Sequence, residues 1–259
     1  MEDKIRNSIK ILTRTYYDYQ RERISLDGRM GQKKDGSLKS KAPPRDDTIL
    51  VELYKRRKEV IGMEQAIEKQ ISKEVHEHPL WEVFLKHVKG CGEMMAAVLI
   101  SEIDIRIATT VSKLWQFGGL NPSLVYGKKV KNGRIVVTRD KIPGDRKTKG
   151  YLCPYNQFLK AKLLGVLGSG FLKKNSDYRV YYDNMRKRLE AKDWGKPSKN
   201  PTKKDNPKAL HQHNAANRYT VKMFLKDLYV AWRTLEGLTV RKTYQEEYLG
   251  YSHEEGEVV

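Results

Sequence analysis

Two apolar stripes at helical spacing fill most of the first 79 residues, and they commit that part of the chain to long helices. Within residues 2–26, Ile5, Ile9, Leu12, Tyr16 and Tyr19 recur at intervals of four and three, close to a heptad seam. Residues 27–47 (DGRMGQKKDGSLKSKAPPRDD) then break the pattern with Gly, Lys, Ser and Pro and read as a loop. Asp47 or Thr48 caps a second helix, whose stripe runs through Ile49, Leu53, Val60, Met63, Ile67 and Ile71 and ends before Pro79. Two such helices fit an antiparallel hairpin or a coiled coil with a second copy of the chain. A homo-oligomer is one expectation, a plain helical packing layer the other.

The next segment, WEVFLKHVKGCGEMMAAVLISEI (81–103), places a tight Gly90-Cys91-Gly92 turn between two short apolar helices. That is the outline of a helix-hairpin-helix. Glycines there let the backbone take positive φ and come close to a ligand, and the N–H groups of the following helix can face a phosphate. An ordinary turn packed in the core is the other reading. Further on, Asn132-Gly133 separates LVYGKKV from RIVVTR, the strongest short-range signal for a β-hairpin. We place a two-stranded ribbon at about 124–139, and helices from about 156 to 174, 176 to 192 and 210 to 235. The expected fold is mainly α: a helical hairpin or coiled coil over 1–79, a helical domain with a helix-hairpin-helix and a small β-hairpin over 80–235, and an acidic tail over 236–259.

Charge narrows the partners. The chain of 259 residues carries a formal net charge of +19. Between Lys128 and Lys208 there are 23 Lys and Arg against seven Asp and Glu, so nearly all of the excess belongs to one third of the chain. A concentrated excess of this kind is the footprint expected of a polyanion-binding protein, because each neutralised phosphate releases a counterion. The candidate nucleic-acid contacts are Lys89, Gly90 and Gly92 at the turn, and Lys128, Lys129, Lys131, Arg134 and Arg139 on the ribbon. Arg146, Lys147 and Lys149 follow in a loop, then Lys160, Lys173, Lys174, Arg186, Lys187, Arg188 and Arg218 on helices. Tyr178, Tyr181 and Tyr182 alternate with basic residues and read either as stacking platforms for bases or as helix-core residues.

Other classes lose ground. No run of about eighteen apolar residues is present, so no membrane partner is expected. The first residues lack the apolar core of a signal peptide. Two cysteines, Cys91 and Cys153, make no disulfide framework, and a cytoplasmic, nucleoid-associated protein is expected. His211 and His213 with His76, His78 and the cysteines lack zinc-site spacing. Glu102 and Asp104 read as capping or pairing groups. No metal site or cofactor is evident.

Residues 84–122 resemble the C-terminal transposase domain of the insertion-sequence recombinases related to Piv-type DNA invertases. That family's order is an apolar helix, a P-G-[IV]-G turn, a small-residue helix ending A-E-[IL]-x-D, and a G-L-x-P turn. The counterparts here are Lys89-Gly90-Cys91-Gly92, Ser101-Glu102-Ile103-Asp104 and Gly119-Leu120-Asn121-Pro122. NQFLK from Asn156 resembles the family's G-N-x-x-L-R helix start, KKNSDYRVYYDNMRKR its following helix, and AANRYTVKMFLKDLYVAW its closing A-x-A-R helix. Matching elements cover about 80–235.

The resemblance implies a transposase-like protein of a mobile element, acting on double-stranded DNA in transposition or site-specific recombination. Some members are guided by a structured RNA. A non-catalytic DNA- or structured-RNA-binding relative is the alternative. The family pairs this domain with an N-terminal DEDD nuclease-like domain. Here the early carboxylates Glu2, Asp3, Asp18, Glu22 and Asp27 fall on a helix and loop. A DEDD site, and any Mg, is therefore expected from a separate nuclease subunit. The family's catalytic Ser-Gly is replaced by Pro122-Ser123-Leu124-Val125-Tyr126-Gly127. Tyr126 or Ser123 takes the nucleophile's place, or the site is inactive and Tyr126 packs or stacks. Whether the chain is an enzyme stays open at this point.

Overall fold

The computed structural model describes residues 2–31, 47–197 and 206–242. Residues 32–46, which hold most of the expected loop over 27–47, residues 198–205 and the stretch from 243 onward lie outside the described residues. The chain divides into two compact units. One comprises residues 1–78 with 96–102, the other 79–95 with 103–259.

The first unit is built on helices α1 (Glu2–Arg29) and α2 (Asp47–His76). They pair antiparallel. Arg23 Nε donates to Glu64 Oε2 at 2.8 Å and Arg57 Nε to Asp27 Oδ1 at 2.6 Å, so from Arg23 to Asp27 the partner on α2 moves back by seven positions; Arg56 also reaches Glu22. Leu26, Met30 and Val60 form the core between them, with Tyr19, Leu50 and Leu53 packed on it. The hairpin therefore forms within one chain. Its buried line on α2 runs through Val60, Glu64, Ile71 and Val75, whereas Ile49 and Met63 are exposed by 61% and 43%. Those two belonged to the expected stripe. Beside Val60, Glu64, bonded to Arg23, holds the buried place expected of Met63. Tyr16 and Tyr17 lie along α1, where burial first, then neighbouring Glu68 and Glu64, raises the Tyr16 hydroxyl's pKa. Burial pushes Tyr17 up to about 12. Residues 96–102 of α4 (Glu93–Glu102) complete this unit, and Ala96 to Ile100 are all fully buried, as a helix apolar on every side requires. Glu102 Oε1 accepts from Arg14 Nε and Nη2 at 3.0 and 2.6 Å, the pairing role expected of it.

The second unit is organised by α9 (Ala209–Leu235), which packs on α3 (Pro79–Val83), on α5 (Val111–Phe117), on α7 (Gly168–Lys173) and on α8 (Arg179–Ala191). Its apolar line is Ala216, Val221, Phe224, Leu225, Leu228 and Trp232. Phe224 meets Phe171 at 5.4 Å and Tyr178 at 5.5 Å between ring centres. Arg233 is also buried, satisfied by the carbonyls of Ile105, Ala108 and Thr239. The last of these bonds folds residues 236–242 back onto α9, so the start of the expected loose tail is tied down.

Two local outcomes differ from expectation. The helix expected over 81–88 is only the one-turn α3 followed by a 3₁₀ turn, Leu85–His87. The helix from Asn156 forms, with the Asn156 side chain accepting from Leu159 N at 3.0 Å, but it is not uniform. After α6 (Gln157–Lys162) it widens into a π segment, Leu163–Leu167, before α7. The cause is visible: Asn217 Nδ2, from α9, donates to Leu164 O at 3.1 Å and takes that carbonyl as its own acceptor. Among the described residues, no helix is long and apolar enough to cross a membrane.

Candidate nucleic-acid interface

Strands β1 (Leu124–Lys131) and β2 (Arg134–Pro143) pair antiparallel about Asn132-Gly133, whose φ values of 50° and 73° are those a two-residue hairpin turn demands. The ribbon runs four residues past its expected end. Between Tyr126 and Lys128 the register shifts: Tyr126 faces Lys141 while Lys128 faces Val137, so Gly127 alone opposes Thr138 to Asp140. Gly127 is required there. The Tyr151 ring covers it and leaves no space for a Cβ, while Tyr151 Oη donates to Asp140 Oδ2 at 2.6 Å and Leu152 N to Lys128 O at 2.7 Å. Lys129 Nζ sits 4.2 Å over the same ring. Lys128, Lys131, Arg134 and Arg139 are exposed along the ribbon, interleaved with exposed Val130, Ile135 and Val137.

A second group of expected contacts converges on a groove. Gly90 takes φ 92° and lies against the backbone of Gly170, so its glycine character serves packing. Gly92 is different: nothing stands within 4 Å of where its Cβ would be. Beside this turn opens a groove lined by Lys89, Gly92, Val166, Ser169, Lys173 and Lys174, with a volume of about 710 Å³. Lys89, Lys173 and Lys174 stand on its rim, all three exposed. Cys91 is buried beneath it, and burial pushes its thiol up to about 12, so it stays protonated and unreactive.

The third group surrounds one carboxylate. Asp145 lies just after β2. Arg218 Nη1 stands 3.3 Å from its Oδ2, Arg146 Nε 3.6 Å from its Oδ1, and Lys160 Nζ donates to its main-chain carbonyl. Lys160 also covers the Tyr155 ring at 4.5 Å, and both crowd Gly119 (φ 67°), where a Cβ would clash. Gly144 N donates to Ser123 O at 3.0 Å, and Asn156 N to Phe117 O at 2.9 Å. The Gly119–Pro122 turn, the start of α6 and Arg218 of α9, three stretches far apart in sequence, thus meet around residues 143–146. Asp145, Tyr155 and Gly144 were missed as site residues; the Pro143-Gly144-Asp145-Arg146 turn was the available signal.

Other expected contacts have structural employment. Arg186 bonds Glu190 and donates to Ala209 O at 2.8 Å, which ties α8 to α9 and removes it from the set of open cations. Arg188 reaches Met185 Sδ at 3.1 Å, while Lys187, Lys147 and Lys149 join none of the three groups. Tyr178 is half-buried: its ring stacks on Phe171 at 5.1 Å and its hydroxyl donates to Asp227 Oδ2 at 2.8 Å. Tyr182 pairs with His213, and His211 Nδ1 accepts from Lys196 N at 2.7 Å. Among the described residues, no group of three His, Cys, Asp or Glu could hold a metal ion.

Of the two candidate nucleophiles, Tyr126 is 58% exposed on β1 with Lys141 Nζ 5.7 Å from its ring centre. Ser123 is exposed, and its main chain is fixed by Asn121 Oδ1 and Gly144 N. No protein-family model matches the chain, and no curated protein aligns with it.

Proposed function

We propose that the chain is a transposase-like DNA-binding protein that holds phosphate backbone with its second unit and acts in DNA transposition or site-specific recombination. The observation that carries this reading is the groove: the Gly90-Cys91-Gly92 turn, an opening at Gly92, and Lys89, Lys173 and Lys174 on the rim. A groove with a small-residue floor and a lysine rim suits a phosphodiester chain, which needs close backbone approach and mobile cations. The ribbon adds exposed cations at a width that the major groove of a duplex admits. Support for the recombinase part comes from the motif order and from the meeting of Gly119–Pro122, Lys160 and Arg218 around Asp145. In this reading the nuclease chemistry, with its Mg, comes from a separate DEDD subunit, and a structured guide RNA is a further partner.

A binding-only relative, on DNA or structured RNA, is the second reading. It is favoured by Tyr126, whose ring serves as a seat for Lys141 on the ribbon. The test of the shared premise is duplex binding across a salt series. A steep fall in affinity with salt is expected, and an affinity indifferent to salt would refute both readings.

A further inference from the structure

The cluster around Asp145 holds more positive charge than its own carboxylate balances. Three cations gather at one residue: Arg146 and Arg218 pair with the Asp145 carboxylate, whose side chain is 11% exposed, and Lys160 donates to its main-chain carbonyl. Arg218 Nε is buried and has no hydrogen-bond acceptor among the described residues, and Asp145 Oδ1 likewise has no donor at hydrogen-bond distance. Lys222, one turn further along α9, adds a fourth positive charge, its Nζ 4.1 Å over the Trp115 ring. Lys160 and Lys222 both have lowered pKa values, from burial first; Arg218 lowers both further, while Asp145 partly offsets the shift at Lys160. Partly buried like charges with a spare guanidinium donor are unfavourable unless an anion joins them.

Access exists. The Arg146 side chain is 72% exposed and that of Arg218 32%. Two guanidinium groups and an ammonium match the several acceptor oxygens of a tetrahedral phosphate.

We propose that Arg146, Lys160 and Arg218 form a phosphate seat, in which the Asp145 carboxylate is the resident counter-ion that an incoming phosphate group partly replaces. The Gly144 N to Ser123 O bond places this seat next to Ser123. The seat stands on its own geometry and does not depend on the groove at Lys89, Lys173 and Lys174. Its ligand is a phosphate group, either the terminal phosphate of a strand or an internal diester.

The two sources, and the seat itself, are tested with the full chain and two short oligonucleotides, one 5′-phosphorylated and one with a 5′-hydroxyl. Asp145→Asn removes the resident anion and is expected to tighten binding about tenfold, whereas Arg218→Gln is expected to weaken it about tenfold. Arg218→Lys restores part of that affinity. If the changes appear only with the 5′-phosphorylated strand, the seat takes a terminal phosphate; if they appear with both, it takes an internal diester. Binding unchanged in both variants, with melting temperatures like the parent's, overturns the proposal. Should Arg218→Gln fail to fold, Asp145→Asn alone decides by the sign of its effect. A Lys89/Lys173/Lys174→Gln triple variant separates this test from the groove: it is expected to lose long-duplex binding while inorganic phosphate still protects Arg218 from dicarbonyl modification.

Discussion

Gly90 and Gly170 meet backbone to backbone. A Cβ on Gly90 would stand 2.8 Å from the carbonyl carbon of Gly170, and one on Gly170 would stand 2.6 Å from the carbonyl oxygen of Gly90. The contact sets how closely the turn and α7 approach, and so sets the width of the lysine-rimmed groove. Gly90→Ala meets both this contact and a φ of 92°, and should cost about 2 kcal/mol or more in denaturant unfolding. Gly92→Ala meets neither and should change stability by less than about 1 kcal/mol. Equal effects would contradict the division of labour between the two glycines.

The rim lysines can be counted by salt. Replacing Lys89, Lys173 or Lys174 singly by Gln should lower the slope of log affinity against log salt by roughly one for each phosphate left without its cation. None of the three is buried, so thermal melts should stay near the parent's. Arg186→Gln gives the opposite pattern: lower stability, because its bonds to Glu190 and Ala209 are broken, with little change in slope.

Tyr126→Phe and Ser123→Ala should fold as the parent does, since both side chains are exposed. Suicide DNA substrates then assign the chemistry. A covalent adduct absent in only one variant names the nucleophile, and no adduct with the parent protein leaves the binding-only reading.

Asp227 gives a pH prediction. Burial raises its pKa above the ordinary carboxylate value, partly offset by the bond from Tyr178 and by Lys226. A carboxyl with a raised folded-state pKa binds its proton more tightly in the native state, so the native state loses stability as pH rises from the unfolded value through the folded one. Asp227→Asn keeps an acceptor for Tyr178. It should therefore melt higher relative to the parent at pH 7 than at pH 4. A gap that widens on acidification would contradict this.

Where one stretch of chain decides its own shape, the sequence was readable. Helical spacing marked α1, α2 and α9, Asn132-Gly133 marked the ribbon, and Asn156 marked the start of α6, because each signal acts within a few residues. Tertiary partners were not readable. Met63 carries the right spacing, yet its neighbour Glu64, bonded to Arg23, is the residue buried there. The π segment needs an asparagine 53 positions away. Of the site, the lysines at Lys89, Lys173 and Lys174 were recognisable as cations, but their convergence depends on two glycines meeting. Arg186 looked equivalent to them until the Ala209 carbonyl appeared beside it. Asp145 could not be singled out, because what distinguishes it is that Lys160 and Arg218, from two other segments, join its neighbour Arg146 around it.

The irregularity at Gly127 also sets a rule for how this ribbon can change length. One residue there opposes three, a surplus of two on β2, and two is the period of a strand. Tyr126 and Lys128 therefore point the same way on both sides of the shift. Removing two residues from Thr138–Asp140 would leave the tip with Val130, Ile135 and Val137 on their present face. Removing one would turn the tip over and exchange its aliphatic face for the one carrying Lys129, Lys131 and Arg134.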